Sequence, residues 1–238
     1  MSKKKRRIKG TLNILDKNRK HSQFDYNEIF RHIRTNIEYT TVDKNIKSIA
    51  ITSTKSGEAK STVSINLAYI FATKYEKVLL IDCDLRKTML HRYMRLSNQY
   101  GLTDALLNFS KTKKLNMDYF QTVNHSSFLG SLYVLTAGVR VPNPTELLGS
   151  NMFKEYMKTL QDNFDFIIID CAPVGVVSDA IPVGNAIDGT IFVVSSKDTN
   201  YKEAASCVSV LQRSNVNILG SVLTKADSGS GNYSYYYY

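Results

Sequence analysis

The chain has 238 residues, 43% of them hydrophobic, and a formal net charge of +10. That length allows one large α/β domain or two small ones with a sizeable core. No apolar run approaches the roughly 20 residues a membrane helix needs, no signal-peptide core follows the basic start, and Cys83, Cys171 and Cys207 lack metal or disulfide spacing, which points to a cytoplasmic protein.

The charge is concentrated at the beginning. Residues 1–20 hold nine lysines and arginines against Asp16, a net of +8, so the other 218 residues carry only +2. A nearly neutral body argues against nucleic acid as a partner. The arm suits the anionic inner face of the plasma membrane, at about 1 kcal/mol per basic residue, or an acidic partner. It is equally compatible with a solvated tail.

A domain is expected over 21–225. Its first element is a helix over 25–39, where Ile29, Phe30, Ile33 and Ile37 recur at helical spacing. Glu28, Arg31 and Arg34 repeat every three residues and are expected along one side, as an intrahelical salt bridge or a self-association surface. A strand over 47–53 then leads into Lys55, Ser56, Gly57, Glu58, Ala59, Lys60, Ser61 and Thr62, where a helix opens that runs to 73. Strand, small-residue loop and Lys-Ser-Thr together form the layout of a phosphate-binding loop. Backbone N–H groups and the positive helix end face an anion, the lysine adds a charge, and the serine hydroxyl is a magnesium ligand. Thr54 and Ala59 stand where the strict pattern has glycines.

The next strand, 77–84, ends in Asp82 and Asp84. If it continues in pleated form, both carboxylates point to one side. Arg86 and Lys87 follow, to contact phosphate or to be solvated. A short helix is expected over 101–107, a polar, poorly patterned stretch over 111–124, a strand over 132–135 and a loop over 136–144. Helix begins again near 145 and from 151 to 160. The strand 164–170 ends in Asp170; helix 178–187, strand 190–195, helix 201–214 and strand 217–224 complete the domain. Apolar strands alternating with helices predict an α/β fold with one doubly wound, mainly parallel sheet flanked by helices. From residue 226 a Ser/Gly linker ends in Tyr233, Tyr235, Tyr236, Tyr237 and Tyr238, a flexible tail spanning at most about 43–47 Å.

Ligands of open α/β sheets bind beyond the carboxyl ends of the strands. There Lys60 would neutralise the β- and γ-phosphates of a nucleotide, Ser61 would hold Mg²⁺, and Asp170 has the place of a Walker B carboxylate. Of Asp82 and Asp84, one would hold Mg²⁺ and the other accept the proton of an attacking hydroxyl.

These residues resemble the bacterial tyrosine kinases of capsular and extracellular polysaccharide operons over essentially the whole chain. Glu28-x-x-Arg31-x-x-Arg34, residues 52–62 as Walker A, 80–86 as Walker A′ and 167–170 as Walker B carry the resemblance. Thr136-Ala137-Gly138, the run 142–148 and the terminal tyrosines add to it. The resemblance implies a P-loop NTPase fold and transfer of the ATP γ-phosphoryl to tyrosine. The five tail tyrosines would be the acceptors, modified in trans within a ring whose contacts involve Glu28, Arg31 and Arg34. It also implies a membrane-embedded adaptor of the polysaccharide co-polymerase type, and protein substrates such as nucleotide-sugar enzymes. Polymer synthesis and export would be the regulated process.

Family loops usually have glycine where this chain has Ala59. If that position needs a positive φ, alanine costs roughly 1–2 kcal/mol, and Ala59→Gly is expected to tighten ATP binding. Two other readings stand beside the kinase: a partitioning-type switch ATPase, whose second loop lysine Lys55 would match, and a non-catalytic nucleotide-binding scaffold, which Ala59 would favour. The tyrosine tail counts against the first. Its clustered rings are an aggregation hazard unless phosphorylation adds charge.

Overall fold

Strands that are buried along their whole length need helices on both faces of their sheet. The computed structural model, which describes residues 26–40 and 46–226, shows that arrangement. The basic arm and the tyrosine tail lie outside the described residues. The strands are β1 (Ser48–Ser53), β2 (Lys77–Cys83), β3 (Gln121–Val123), β4 (Ser131–Leu135), β5 (Phe166–Cys171), β6 (Gly189–Ser195) and β7 (Ile218–Thr224). The helices are α1 (Tyr26–Tyr39), α2 (Lys60–Ala72), α3 (Leu90–Tyr93), α4 (Leu102–Thr112), α5 (Pro144–Gly149), α6 (Asn151–Asn163), α7 (Ala180–Gly184) and α8 (Tyr201–Arg213). The sheet order is β3-β4-β2-β5-β1-β6-β7, and every pairing is parallel except β3 with β4.

Side-chain alternation divides each central strand between two cores. Leu79, Ile81, Ile167 and Ile169 face one way, packing with Leu102, Leu106, Phe153, Met157 and Leu160. Val78, Leu80, Ile49, Ile51 and Ile168 face the other, onto Val63, Leu67 and Phe71 of α2. Phe71 stacks on Phe166 with ring centroids 3.9 Å apart. Each such side chain contributes about 1.5–3 kcal/mol when fully buried. The result is a doubly wound sheet that brings the carboxyl ends of β1, β2 and β5 side by side at its centre.

Below the opposite ends of the strands, Asp188 ties β1 to β6. Its Oδ2 accepts from the backbone N–H groups of Lys47 and Ser48, each at 2.9 Å, and from Ser48 Oγ at 2.7 Å. Hydrogen bonds to an ionised acceptor are worth about 1.5–3 kcal/mol each, though not additively. Asp188→Ala should therefore lower unfolding free energy by about 3 kcal/mol in urea titration. A loss under about 1 kcal/mol would show that water replaces the carboxylate without cost.

Several expectations are corrected. Helix α4 runs to Thr112 rather than 107, because Phe109 lies three residues past Leu106 and joins the same buried face. The polar stretch after it contains a 3₁₀ turn, Met117–Tyr119, and the edge strand β3. Helix α7 covers five residues where ten were expected. Its N-cap residue Asp179 makes no capping bond, and Pro182 brings no N–H. Helix α3 was not anticipated at all.

The Glu28/Arg31/Arg34 series does not share one face. Each three-residue step falls about 60° short of a full turn, so the third member has rotated by about 120°. Glu28 Oε2 and Arg31 Nη1 form an exposed pair at 3.0 Å. Arg34 turns instead onto α2, donating from Nη1 to Ile70 O at 3.0 Å and Thr73 Oγ1 at 3.4 Å.

Candidate active site

The loop between β1 and α2 departs twice from ordinary backbone geometry, at Gly57 (φ 91°) and Ala59 (φ 66°, ψ 20°). Both are left-handed, so the condition set for Ala59 from the sequence is met. Ala59 is also the N-cap of α2, and no side chain caps that helix end. Its first N–H groups therefore open toward the loop.

Glu58 braces this strained turn from within. Its side chain is buried; Oε2 accepts from Lys55 N–H at 2.9 Å and Oε1 from Thr199 Oγ1. Its carbonyl accepts from Thr224 Oγ1 at 2.8 Å. The loop is thus fastened to the carboxyl ends of β6 and β7, which is how a left-handed alanine persists. Lys55 itself lies 3.4 Å from Glu203 on α8.

Lys60 is buried among carboxylates. Its Nζ is 2.9 Å from Asp170 Oδ1 and 3.6 Å from Asp84 Oδ2. Asp170 also accepts from Ser61 Oγ at 2.7 Å and from Ser64 Oγ at 2.9 Å. Burial pulls the Lys60 pKa down, but Asp170 and then Asp84 outweigh it and leave the ammonium more strongly charged than usual. Asp82 is fully buried and held by Asp84 N–H at 3.1 Å and Leu90 N–H at 3.3 Å. Burial, and after it the charge of Asp170, pushes its carboxyl well up. Asp84 accepts from Lys87 N–H at 3.0 Å, and burial raises it too. Strand β2 ends at Cys83, so the two carboxylates are not pleat-related; the turn folded around Asp82 brings Asp84 to Lys60.

The predicted loop, Asp82, Asp84 and Asp170 are therefore brought to one edge. Arg86 is not simply solvated: Nε and Nη2 form a two-point pair with Asp179 at 2.7 and 3.1 Å, and Nη2 reaches Thr145 Oγ1 at 3.1 Å. Sequence reasoning missed Ser64, Asp179, Thr199 and Thr224. A polar residue inside an apolar helix pattern, Ser64, was the one available signal.

The donor set fits a hard cation. Among the described residues no three acidic, His or Cys side chains cage a metal unaided. Magnesium bound with substrate phosphates needs only one or two carboxylates and a hydroxyl, which Asp82, Asp84, Asp170 and Ser61 offer.

Residues 46–194 match the AAA domain family. The chain is 40% identical over 210 residues to the tyrosine-protein kinase YwqD of Bacillus subtilis, covering 88% of this chain and 85% of that one. It superposes on the crystal structure of the chimerical protein CapA2B2 with a TM-score of 0.76 and 35% identity, covering 90% and 88% of the two chains. The kinase domain of the Escherichia coli tyrosine kinase ETK gives 0.77 and 28%, covering 96% and 85%.

Proposed function

The chain belongs to the bacterial tyrosine-protein kinases, and on that premise we propose that it transfers the γ-phosphoryl of ATP to its own C-terminal tyrosines, in trans within an oligomer. The observation that carries this reading is Lys60 between Asp170 and Asp84 at the mouth of a left-handed loop, with Ser61 beside it. A buried cation at that place supports binding of the β- and γ-phosphates. Ser61 and Asp170 are the residues to hold Mg²⁺, which when bound would offset phosphate charge. Asp84, or Asp82 behind it, is the group to take the proton of the incoming tyrosine hydroxyl. A carboxyl held above its usual range by burial is better suited to that task than a fully solvated one.

The tail tyrosines are acceptors within reach of a neighbouring subunit. Their modification would regulate synthesis and export of a capsular polysaccharide. The +8 arm supports recruitment to an anionic membrane surface, where a membrane-embedded adaptor would activate the chain. Nucleotide-sugar enzymes are the class of further substrate that fits. Glu28 and Arg31, exposed on α1, are the members of the three-residue series free to meet a neighbouring subunit's surface.

The switch-ATPase reading has less support, because the relatives are tyrosine kinases and Lys55 is engaged within its own chain by Glu203. The discriminating assay supplies ATP and Mg²⁺ and reads phosphotyrosine by mass spectrometry. ATP turnover without phosphotyrosine would identify a switch ATPase.

A further inference from the structure

We propose that the cleft between the β2–α3 and β4–α5 loops is a phosphotyrosine subsite, which receives an already phosphorylated tail tyrosine while a neighbouring one occupies the transfer site. The inference rests on the tyrosine-kinase reading above.

The cleft measures about 380 Å³ and is lined by Leu85, Arg86, Arg140, Val141, Pro142 and Pro144. It combines apolar walls with two guanidinium groups. That is the composition an aromatic ring bearing a dianion requires. Arg86 is only two residues past Asp84, and β4 is the sheet neighbour of β2, so the cleft adjoins the carboxylate side of the transfer site.

The two arginines differ in a useful way. Of the five N–H donors of Arg86, the one on Nε and the two on Nη2 are committed to Asp179 and Thr145. The two on Nη1 are not. Asp179 is completely buried, so it fixes the guanidinium plane before any ligand arrives. Arg140 is exposed and, among the described residues, makes no hydrogen bond or ion pair. One pinned and one free guanidinium can close on a phosphate with little reorganisation of the first.

The need for such a subsite follows from the tail. Five tyrosines fall within six residues, so after one transfer every remaining acceptor has a phosphotyrosine close by, carrying a charge of about −1.5 to −2. Asp82, Asp84 and Asp170 outnumber Lys60 in the transfer site and would repel it. In an extended chain, residues two apart lie about 7 Å from each other on the same side. A phosphotyrosine at that distance needs a cation outside the aspartate cluster. Arg140 supplies one on the β4 side, where Arg86 already neutralises Asp179.

The test uses the full chain without ATP and two labelled peptides of residues 227–238, one unmodified and one phosphorylated at Tyr235, with affinities read by fluorescence anisotropy. The phosphopeptide should bind at least about 10-fold more tightly, and Arg140→Ala should bring the ratio close to one. Arg140→Lys should restore part of it. Equal affinities for the wild type would overturn the proposal. So would a preference that survives Arg140→Ala unchanged, since the guanidinium free to close on the phosphate would then play no part. The kinase reading fails separately, if the wild-type chain turns over ATP with Mg²⁺ and makes no phosphotyrosine; the binding ratio is measured without catalysis.

Discussion

Lys60→Met is expected to reduce phosphotyrosine formation by about 10²–10³-fold, the range for removing one preorganised group aimed at developing charge. The same change should weaken the fold, and the pH dependence separates the two effects. Lys60 lies within 3.6 Å of two of three buried aspartates, so its loss leaves their charge uncompensated. Asp82 and Asp84 already have pKa values raised in the folded state. A raised carboxyl binds more protons folded than unfolded. Its stabilising contribution is present below the unfolded pKa and lost as pH rises through the folded one. Without Lys60 both values rise further, and the loss extends to higher pH. The variant's thermal midpoint should therefore fall further below wild type at pH 8 than at pH 5. A variant equally destabilised at both pH values would contradict the charge arrangement, whatever its activity.

Ala59→Gly is expected to stabilise the folded chain by about 0.5–1 kcal/mol. Relief of the left-handed alanine is worth about 1–2 kcal/mol, and the greater freedom of glycine in the unfolded chain offsets about 0.5–1. For a domain of this size the midpoint should rise by about 1–4 °C. The structure alters the expectation drawn from the sequence alone. Because Ala59 is held at φ 66° by the protein itself, with Glu58 fastened to Thr199 and Thr224, the strain belongs to folding rather than to nucleotide binding. ATP affinity by calorimetry should then change by less than about 3-fold. A 10-fold tightening without added stability would mean that the loop takes up its left-handed turn only on binding. The non-catalytic scaffold reading loses its basis on the same ground, since an alanine already in the required conformation does not obstruct the loop.

The features readable in the sequence were those set by short-range pattern. The apolar stretches at 49–51, 78–81 and 166–169 read as buried strands, and the residues that follow them were expected at one sheet edge. That placed Lys60, Asp84 and Asp170 together before any coordinates. What stayed illegible depends on long-range partners. Asp179 falls in a stretch read only as helix, and nothing local announces that Arg86, 93 residues earlier in the chain, takes its carboxylate. Thr199 and Thr224 look like strand-end polar residues, yet they hold Glu58 across more than 140 residues. Strand β3 has three residues and one neighbour, too little for a period-2 pattern to register. Arg34 failed differently: its spacing was right, but drift around the helix carried it to a different face.

The central claim is that this site phosphorylates the tyrosine tail of another copy. The direct measurement mixes two chains with ATP and Mg²⁺: full-length Lys60→Met, which keeps its tail, and a chain ending at residue 226, which keeps Lys60. Mass spectrometry should find phosphate on Tyr233, Tyr235, Tyr236, Tyr237 or Tyr238 of the Lys60→Met chain only when the truncated chain is present. ATP consumption with every tail tyrosine unmodified would contradict the account.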